Sequence, residues 1–496
     1  MGCDITARAE GISGGNVESH PVTPPWPLSP PTASELRAFA DASTRPFWLD
    51  DLPRREPDSR LESIVDTDLC IVGGGFTRLW AALHATRDAR GRDVVLLESG
   101  RCGEAASGRN GGFLDASLTH GMANGCSRFA DEMPALERLG AENFADLRAD
   151  LERHAIGADY EPTGTLDIAL EPHQVPELAE LAALMGRFGH ATQRLDRQAM
   201  QAEVASPTYL GGLWTPGGTA LVHPGKLAAG LRRAARAAGV RIFEYSPVHA
   251  LAPEGTGVGV ATAAGRVRAR RVLVATGAET DVLPALGRYI APVYDYVLVT
   301  EPLSAEQHGQ IGWRRRQGLA DGANQFHYYR LTPDDRILFG GYDAVYRHGG
   351  PVGPRHEDHA ASFGRLSQHF FTTFPQLRGL RFTHRWGGAI DTCSRFSVFF
   401  GVTQGGRVAH AAGYTGLGVG ASRFGAQVAL DLLDGRNTEA TALRFTRTRP
   451  VPFPPEPLRS AVIQLTRNRL AAADRHAGRR GLWLRLLDLL GLGFDS

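Results

Sequence analysis

IVGGGFTRLW, residues Ile71 to Trp80, matches a Gly-x-Gly-x-x-Gly phosphate loop at the first two glycine positions, but Arg78 stands at the third. In such a loop the first glycine makes the tight turn and the second lets backbone N–H groups approach a pyrophosphate. The third glycine lets the helix pack closely on the strand. Phosphate binding therefore depends on Gly73, Gly75 and the positive end of the helix dipole. We expect the loop to bind phosphate and Arg78 to point to solvent.

The flanking sequence predicts a βαβ unit around this loop. The apolar run Leu69–Val72 indicates a buried strand, and the spacing of apolar residues after Thr77 indicates a helix. RDVVLLES indicates a second buried strand, and Glu98 lies near its end, 25 residues after Gly73 (98 − 73). An acidic residue at this place binds a ribose hydroxyl in dinucleotide-binding folds. The unit predicts an α/β, Rossmann-type nucleotide domain.

Two further glycine-rich segments decide between a nicotinamide and a flavin cofactor. GRCGEAASGRNGG follows the second strand directly, and AAGYTGLGVGASRFGA opens a helix near residue 418. Between them, residues 241–278 predict three short strands joined by glycine turns and then a buried strand, VLVATGA. A nicotinamide domain is usually contiguous, so a cofactor reached by separated segments favours a flavin. No second nucleotide loop for NAD(P)H is present, which predicts that electrons come from the substrate.

Five segments together resemble the D-amino-acid oxidase (DAO) superfamily of FAD enzymes: DLCIVGGGFT, VVLLESGRCGEAASGRNGG, VLVATGA, RWGGAIDTCSRFSVFFG and GYTGLGVG. The most similar branch is the gamma-glutamylputrescine oxidoreductase-like group, which is similar to glycine and sarcosine oxidases. The resemblance implies a glutathione-reductase-type FAD-binding Rossmann domain, with the βαβ unit and a three-stranded meander. It also implies a second, α+β substrate domain of mixed sheet and helices.

The resemblance sets the expected domain bounds. They are an extended N-terminal arm at 1–60, a discontinuous FAD-binding domain at 61–150, 220–290 and 381–440, a substrate domain at 151–219 and 291–380, and a C-terminal extension at 441–496. Phe47 and Trp48 are expected to attach the arm to the body. The apolar tail GLWLRLLDLLGLGFDS predicts a docking helix, with contact to a membrane surface or a second copy as the alternative.

The same resemblance implies which residues bind FAD. Gly73 and Gly75 would hold the pyrophosphate, Glu98 the ribose, and the backbone of Val248 the adenine. The loop from Gly413 to Gly418 would place N–H groups at the flavin N1/O2 edge. The full expected set is Gly73, Gly75, Phe76, Thr77, Glu98, Ser107, Arg109, Asn110, Gly111, Gly112, Val248, Thr276, Gly277, Gly413, Tyr414, Thr415, Gly416, Leu417 and Gly418. Cys393 is out of register with the flavin-linking cysteine of sarcosine oxidases, so we expect non-covalent FAD.

Candidates to contact the substrate are Tyr328, Trp386, His120 and Arg330. The aromatic residues, with Tyr294, Tyr296, Tyr329 and Tyr414, would either surround the substrate or pack in the core. Arg330 would hold a substrate carboxylate or form a surface ion pair. Sarcosine-type oxidases activate O2 with a lysine, and Lys226, the sole lysine here, is expected to lie away from the flavin.

The sequence thus predicts an FAD-dependent oxidoreductase that oxidises the C–N bond of a small amine or amino acid to an imine. The hydride goes to flavin N5, and O2 is the expected acceptor, giving H2O2. Two alternatives stay open: an amine or amino-acid dehydrogenase with another acceptor, and a flavin-binding protein whose catalysis is weakened by Arg78 and Leu417.

Composition limits the other classes of function. The chain has 496 residues with a formal net charge of +1, so no excess charge favours nucleic acid or an anionic membrane. Its five cysteines show no metal-binding spacing, which favours free thiols in the cytoplasm and no metal site. No signal peptide and no membrane-spanning segment is expected. The sequence leaves the oligomeric state open.

Overall fold

A computed structural model of the chain describes residues 26–88 and 91–493. Within these two ranges, nineteen strands form two large mixed sheets and one small pair. In chain order they are β1 (Ile64–Val72), β2 (Val94–Leu97), β3 (Phe113–Asp115), β4 (Thr165–Ala169), β5 (Gln193–Leu195), β6 (Gly211–Thr215), β7 (Thr219–Leu221), β8 (Arg241–Phe243), β9 (Val248–Glu254), β10 (Gly257–Thr262), β11 (Arg266–Val274), β12 (Ala291–Thr300), β13 (Gly318–Asp321), β14 (His327–Leu331), β15 (Ile337–Gly341), β16 (Val345–Tyr346), β17 (Phe382–Thr392), β18 (Phe399–Thr403) and β19 (Val408–Ala412).

The α-helices surround these sheets. They are α1 (Ala33–Arg37), α2 (Phe47–Asp50), α3 (Phe76–Asp88), α4 (Met122–Phe129), α5 (Met133–Arg153), α6 (Gln174–Arg187), α7 (Arg197–Glu203), α8 (Pro224–Ala237), α9 (Ala305–Ile311), α10 (Ala360–Thr373), α11 (Gly418–Asp434), α12 (Glu439–Ala442), α13 (Arg444–Arg447), α14 (Leu458–Asp474) and α15 (Leu482–Leu489).

The first sheet has the strand order β18-β19-β11-β1-β2-β8, and β10 and β9 continue from β11 as an antiparallel meander. β1 pairs in parallel with both β11 and β2, which explains why the paired segments Leu69–Val72, Val94–Leu97 and Val272–Val274 are apolar on both faces. Their carboxyl ends meet at one edge, where open α/β sheets bind ligands. The predicted βαβ unit and three-stranded meander are therefore confirmed, with β11 serving as both the last meander strand and the predicted buried strand.

The second sheet has the order β16-β12-β15-β14-β13-β4-β6-β5, and β17 pairs with β12. The pairing of β17 with β12 extends from Ala291↔Thr392 to Thr300↔Phe382. The predicted boundary at residue 381 is therefore wrong for this strand, because its long antiparallel register places it in the second sheet. The chain returns to the first sheet only at β18.

The N-terminal arm is folded onto the body over its described part, in contrast to the extended conformation expected for residues 1–60. α1 packs on α10, and Trp26 lies in the core of the second sheet. Trp48 in α2 is fully buried, and its indole Nε1 donates a hydrogen bond to the Asn110 carbonyl at 2.8 Å. Phe47 and Trp48 thus attach the arm as predicted, while residues 1–25 lie outside the described residues.

The C-terminal extension forms α14 and α15. The Asp474 carboxylate accepts hydrogen bonds from the backbone N–H groups of Asn324 and Gln325, which fixes α14 beside the second sheet. α15 buries Leu484, and the side chains of Leu482 and Leu489 on its other side are each 86% exposed. Within residues 26–88 and 91–493, no helix is long and apolar enough to cross a membrane.

Candidate active site

A cavity of about 1360 Å³ lies between the glycine-rich edge of the first sheet and one face of the second. Many of the predicted site residues line it. They are Phe76, Thr77, Ser107, Arg109, Asn110, Gly111, Gly112, His120, Gly277, Tyr328, Tyr414, Thr415, Gly416, Leu417 and Gly418. Arg78, Asp167, Asp295, Asp391 and residues of α14 and α15 also line it. The topology therefore brings together three glycine-rich segments that are far apart in sequence.

The first glycine loop, Gly73–Arg78, joins β1 to α3. Its N–H groups are only partly used by the protein: Gly74 N–H donates to Glu98 Oε2 at 2.5 Å, and Phe76 N–H donates to Ser107 Oγ at 2.9 Å. Among the described residues, no acceptor is within hydrogen-bonding reach of the Gly75 and Thr77 N–H groups. These two donors lie at the N-terminus of a 13-residue helix, where the dipole favours an anion.

Arg78 contradicts the expectation that its side chain points to solvent. A Cβ atom built on Gly73 would overlap Arg78 Nη1, and one built on Gly75 would overlap Arg78 Nη2. The guanidinium therefore lies over the α-carbons of the two phosphate-loop glycines and faces the cavity. The reason is that α3 packs between α8 and α11, so the open space near its first turn is the cavity itself.

The second glycine run, Ser107–Gly112, is held by its own side chains and by two tryptophans. Asn110 Nδ2 donates to the carbonyls of Ala106 and Ser107, and Asn110 Oδ1 accepts from Gly112 N–H at 2.9 Å. Trp386 Nε1 donates to the Arg109 carbonyl at 2.9 Å. The Arg109 side chain forms an ion pair with Glu357. The run is thus held in place by side chains of the protein itself.

The third glycine loop, Gly413–Gly418, precedes α11. The Asp391 carboxylate accepts from the N–H groups of Gly413, at 2.7 Å, and Tyr414, at 3.2 Å. Burial raises the pKa of Asp391 to about 6. Leu417 is the N-cap residue and makes no side-chain hydrogen bond to the helix, so the first N–H groups of α11 are open toward the cavity.

The expected adenosine end lies at the carboxyl end of β2. Glu98 Oε1 accepts from Gly100 N–H at 2.8 Å, and the Glu98 carbonyl accepts from Ser246 N–H at 2.7 Å. The latter bond brings the start of the meander, and with it Val248, toward this edge of the first sheet. Thr276 instead donates its hydroxyl to the Glu279 carbonyl. The ribose and adenine roles of Glu98 and Val248 stay predictions.

Tyr328 brings the second sheet into contact with the second glycine run. A Cβ atom on Gly111 would lie 2.6 Å from Tyr328 Cε2, so the ring packs on that backbone. The Tyr328 hydroxyl donates to Asp295 Oδ2 at 2.5 Å, and burial raises the pKa of Asp295 to about 6. Asp295 was missed at the sequence level, although strand alternation identifies it once β12 is placed. Tyr294 and Tyr296 point to the opposite face and pack in the core.

Arg330 and Trp386 are corrections to the predicted substrate contacts. Both are fully or almost fully buried outside the cavity. Arg330 Nη1 donates to the Val222 carbonyl at 2.7 Å, and its guanidinium lies over the Trp48 ring at 5.4 Å. Trp386 packs with Trp48 behind the second glycine run. The prediction that Arg330 holds a substrate carboxylate is therefore wrong, because it is used to fix the backbone.

Asp167 on β4 is a second residue that sequence reasoning missed. Six carboxylate side chains of the described residues line the cavity: Asp115, Glu137, Asp167, Asp295, Asp343 and Asp391. Five of them make hydrogen bonds or ion pairs with the protein, whereas Asp167 makes none with any described residue. Burial and the nearby charge of Asp115 raise the pKa of Asp167 to about 7. Only the tertiary fold distinguishes this aspartate from a solvated strand residue.

The remaining candidates concern oxygen and flavin attachment. His120 lines the cavity beside Gly416, and burial lowers its pKa to about 4, so its imidazole is neutral at pH 7. Lys226 Nζ forms an ion pair with Asp159 at 2.8 Å outside the cavity. The Cys393 thiol donates to the Gly413 carbonyl at 3.3 Å, and burial raises its pKa. The cavity therefore offers neither a lysine nor a thiolate.

The donors on these loops fit FAD. The first loop presents open N–H groups and a guanidinium whose buried Nε has no hydrogen-bond partner, which matches a doubly negative pyrophosphate. The third loop presents an uncharged helix N-terminus, which matches the polar edge of a flavin ring. The cavity connects the two, so one extended cofactor is able to reach both.

Comparison with known proteins agrees with this geometry. The model of the DAO family, described as FAD dependent oxidoreductase, matches residues 68–432. Gamma-glutamylputrescine oxidoreductase of Escherichia coli is 33% identical over 411 residues, which cover 80% of this chain and 90% of that protein. Among solved structures, glycine oxidase from Geobacillus kaustophilus superposes with a TM-score of 0.66 at 21% identity, covering 78% of this chain and 100% of that one. L-proline dehydrogenase from P. horikoshii superposes with a TM-score of 0.62 at 18% identity, covering 79% and 96%.

Proposed function

Because this chain belongs to the DAO family of FAD-dependent oxidoreductases, we propose that it oxidises the C–N bond of a small, positively charged amine or amino acid. When bound, FAD supplies the hydride acceptor, at N5 of its ring. The substrate C–H bond breaks with its electron pair, the nitrogen loses a proton, and water hydrolyses the resulting imine. The chain's own part is to bind and orient the amine in the cavity and to manage its charge.

The observation that carries this proposal is the unpaired carboxylate of Asp167. Amines are ammonium ions at neutral pH, and an ammonium ion is the partner that an otherwise unpaired, desolvated carboxylate favours most. Asp115, whose carboxylate is bonded to Ser117 N–H and the Thr219 hydroxyl, adds negative charge nearby. A carboxylate with a pKa of about 7 is also suited to accept a proton as the substrate becomes neutral.

Substitution of Asp167 tests the proposal. We expect Asp167→Asn to lower kcat/KM for cationic amines by about tenfold or more, because a charge-assisted contact is lost. Glu180→Gln, which removes an exposed carboxylate from α6, is the control and should leave kcat/KM unchanged. When the amine is added without oxygen, the change in flavin absorbance measures the rate of flavin reduction apart from reoxidation. Reduction by NADPH alone, with no response to any amine, would contradict the proposal.

The pH dependence of stability gives an independent test of Asp167. Its folded-state pKa of about 7 lies above the ordinary value of 3.8, so the folded protein binds the proton more tightly. Wild-type stability therefore falls as pH rises from about 4 to about 7 and stays lower above that range. Asp167→Asn lacks this loss, so its melting temperature should exceed that of the wild type at pH 8 and match it near pH 4. If the melting temperatures of the variant and the wild type differ by the same amount at both pH values, ionisation of Asp167 does not destabilise the folded protein.

We propose O2 as the electron acceptor, which takes two electrons and two protons from the reduced enzyme to give H2O2. A dehydrogenase with another acceptor is the second candidate, favoured by the position of Lys226 outside the cavity and the neutral state of His120. Peroxide formed in stoichiometric amounts with amine turnover supports the oxidase. Turnover that requires an added dye or quinone supports the dehydrogenase. We place the protein in the cytoplasm, since four buried cysteines are free thiols.

A further inference from the structure

Arg78 is a cation in a place where related loops need only a small residue. The third glycine of the phosphate loop serves helix packing, and a side chain there has no standard role. In this chain the guanidinium folds back over Gly73 and Gly75 and lines the cavity. It therefore occupies the surface that a pyrophosphate approaches in this type of loop.

Among the described residues, the Arg78 guanidinium has no hydrogen-bond or ion-pair partner, and its Nε is buried. Burial lowers the pKa of Arg78, and the negative charges of Glu98 and Glu279 oppose that effect from a distance. A buried nitrogen without a hydrogen bond costs stability, and Arg78 Nε is such an atom, while the rest of the guanidinium faces the cavity. An anion in the cavity would supply the missing acceptor.

Three further donors point to the same anion. The N–H groups of Gly75 and Thr77 are open at the start of α3, and the helix dipole adds positive potential there. Ser107 lies against the loop, with its Oγ 2.8 Å from a Cβ built on Gly75. A diphosphate has enough oxygens to accept from these N–H groups and from both nitrogens of a guanidinium fork.

We propose that Arg78 is a direct ligand of the FAD pyrophosphate, so that this chain holds its cofactor with a charge-assisted contact in addition to the backbone contacts of the loop. The inference rests on the proposed function, because it takes FAD as the bound cofactor. It replaces the expectation that Arg78 points to solvent and takes no part in phosphate binding. The opposite possibility is that Arg78 fills the loop and competes with FAD.

The test is a calorimetric titration of FAD, ADP and riboflavin into apoprotein. It is carried out with the wild type, Arg78→Met, Arg78→Lys and Arg78→Gly. We expect Arg78→Met and Arg78→Gly to weaken FAD and ADP binding by about 10- to 100-fold, with Arg78→Lys between them and the wild type. Riboflavin has no phosphate, so its affinity should be the same in all four proteins. Melting temperatures of the apoproteins check that each variant is folded.

Arg87→Met is the matched control, because it removes the same charge from the exposed end of the same helix, where Arg87 pairs with Asp88. It should leave FAD affinity within about twofold of the wild type. Tighter FAD binding by Arg78→Gly would overturn the inference and show that the arginine blocks the loop. Unchanged FAD binding by Arg78→Met would overturn it too, while leaving the proposed function intact. Wild-type protein that binds ADP through Arg78 but takes up no FAD would instead contradict the proposed function.

Discussion

The first and third glycine loops are built alike and charged differently. Each is a glycine turn after a parallel strand of the first sheet, and each precedes a long helix, α3 or α11, whose first N–H groups face the cavity. The first loop carries the guanidinium of Arg78 over its glycines. The third is tied by the Asp391 carboxylate and capped by the apolar Leu417.

This difference matches the two ends of one cofactor. A pyrophosphate carries two negative charges and gains from a cation, whereas a flavin ring is neutral until it is reduced. The negative charge that then develops at its N1/O2 edge is stabilised by a helix dipole without a fixed cation. In both loops the helix N-terminus supplies the donors, and only the first loop adds a cationic side chain.

Blocking the first loop should have the largest effect. Gly75→Val places a Cβ against Arg78 Nη2 and 2.8 Å from Ser107 Oγ, so the phosphate approach is closed. We expect FAD affinity to fall by more than about 100-fold, since several charge-assisted hydrogen bonds are lost. Gly186→Val on α6 is the control, because a Cβ there meets no atom within 4 Å. Retention of FAD by Gly75→Val would show that the pyrophosphate binds elsewhere.

Loosening the third loop should have a smaller effect. Asp391→Ala removes the acceptor of two loop N–H groups, and we expect about tenfold weaker FAD binding and a shifted flavin absorbance spectrum. Because the pKa of Asp391 is about 6, its carboxylate is protonated below that pH, and wild-type FAD affinity should decline there. Asp391→Asn keeps an acceptor oxygen and does not titrate, so its FAD affinity should stay level through pH 6. A parallel decline in both proteins would assign the pH effect to another group.

Raising the salt concentration should have the smallest effect on FAD affinity. It should also distinguish the first loop, which carries a charged side chain, from the third. Raising the salt concentration from about 0.05 M to about 0.5 M shortens the screening length from about 14 Å to about 4 Å, which weakens contacts between charges. We expect FAD affinity to fall several-fold over this range and riboflavin affinity to change little. The salt effect on FAD should shrink in Arg78→Met. If salt changes the affinities for FAD and riboflavin equally, the first loop does not bind FAD through a charge that the third loop lacks.

The topology of the cofactor side could be predicted because its signals are local. Short apolar runs near glycines identify β1 and β2, and a glycine with a left-handed φ of 70°, Gly435, ends α11. The predicted bounds place β17 in the cofactor domain because RWGGAIDTCSRFSVFFG is one of the segments that carry the family resemblance. Its partner β12 lies about 90 residues away in the chain, and such pairings leave no local signal.

The substrate side could not be predicted to the same depth. Aromatic character identified the right segments, but strand alternation sends Tyr294 and Tyr296 into the core and turns Asp295 to the cavity. Tyr328 and Arg330 share one face of β14, yet Arg330 is covered by the second glycine run. The direction of Arg78 depended on α8 and α11, which cover α3 from distant parts of the chain. Burial of this kind is a property of the assembled fold.

A crystal structure of the FAD-bound protein would show directly whether Arg78 binds the pyrophosphate. The predicted result has the pyrophosphate at the Gly75 and Thr77 N–H groups, with the Arg78 guanidinium within hydrogen-bonding distance of its oxygens and the flavin ring at the third glycine loop. A structure in which Arg78 has turned away from the phosphates would show that it is not a ligand of FAD, and a ring at another loop would show that the two loops are wrongly assigned.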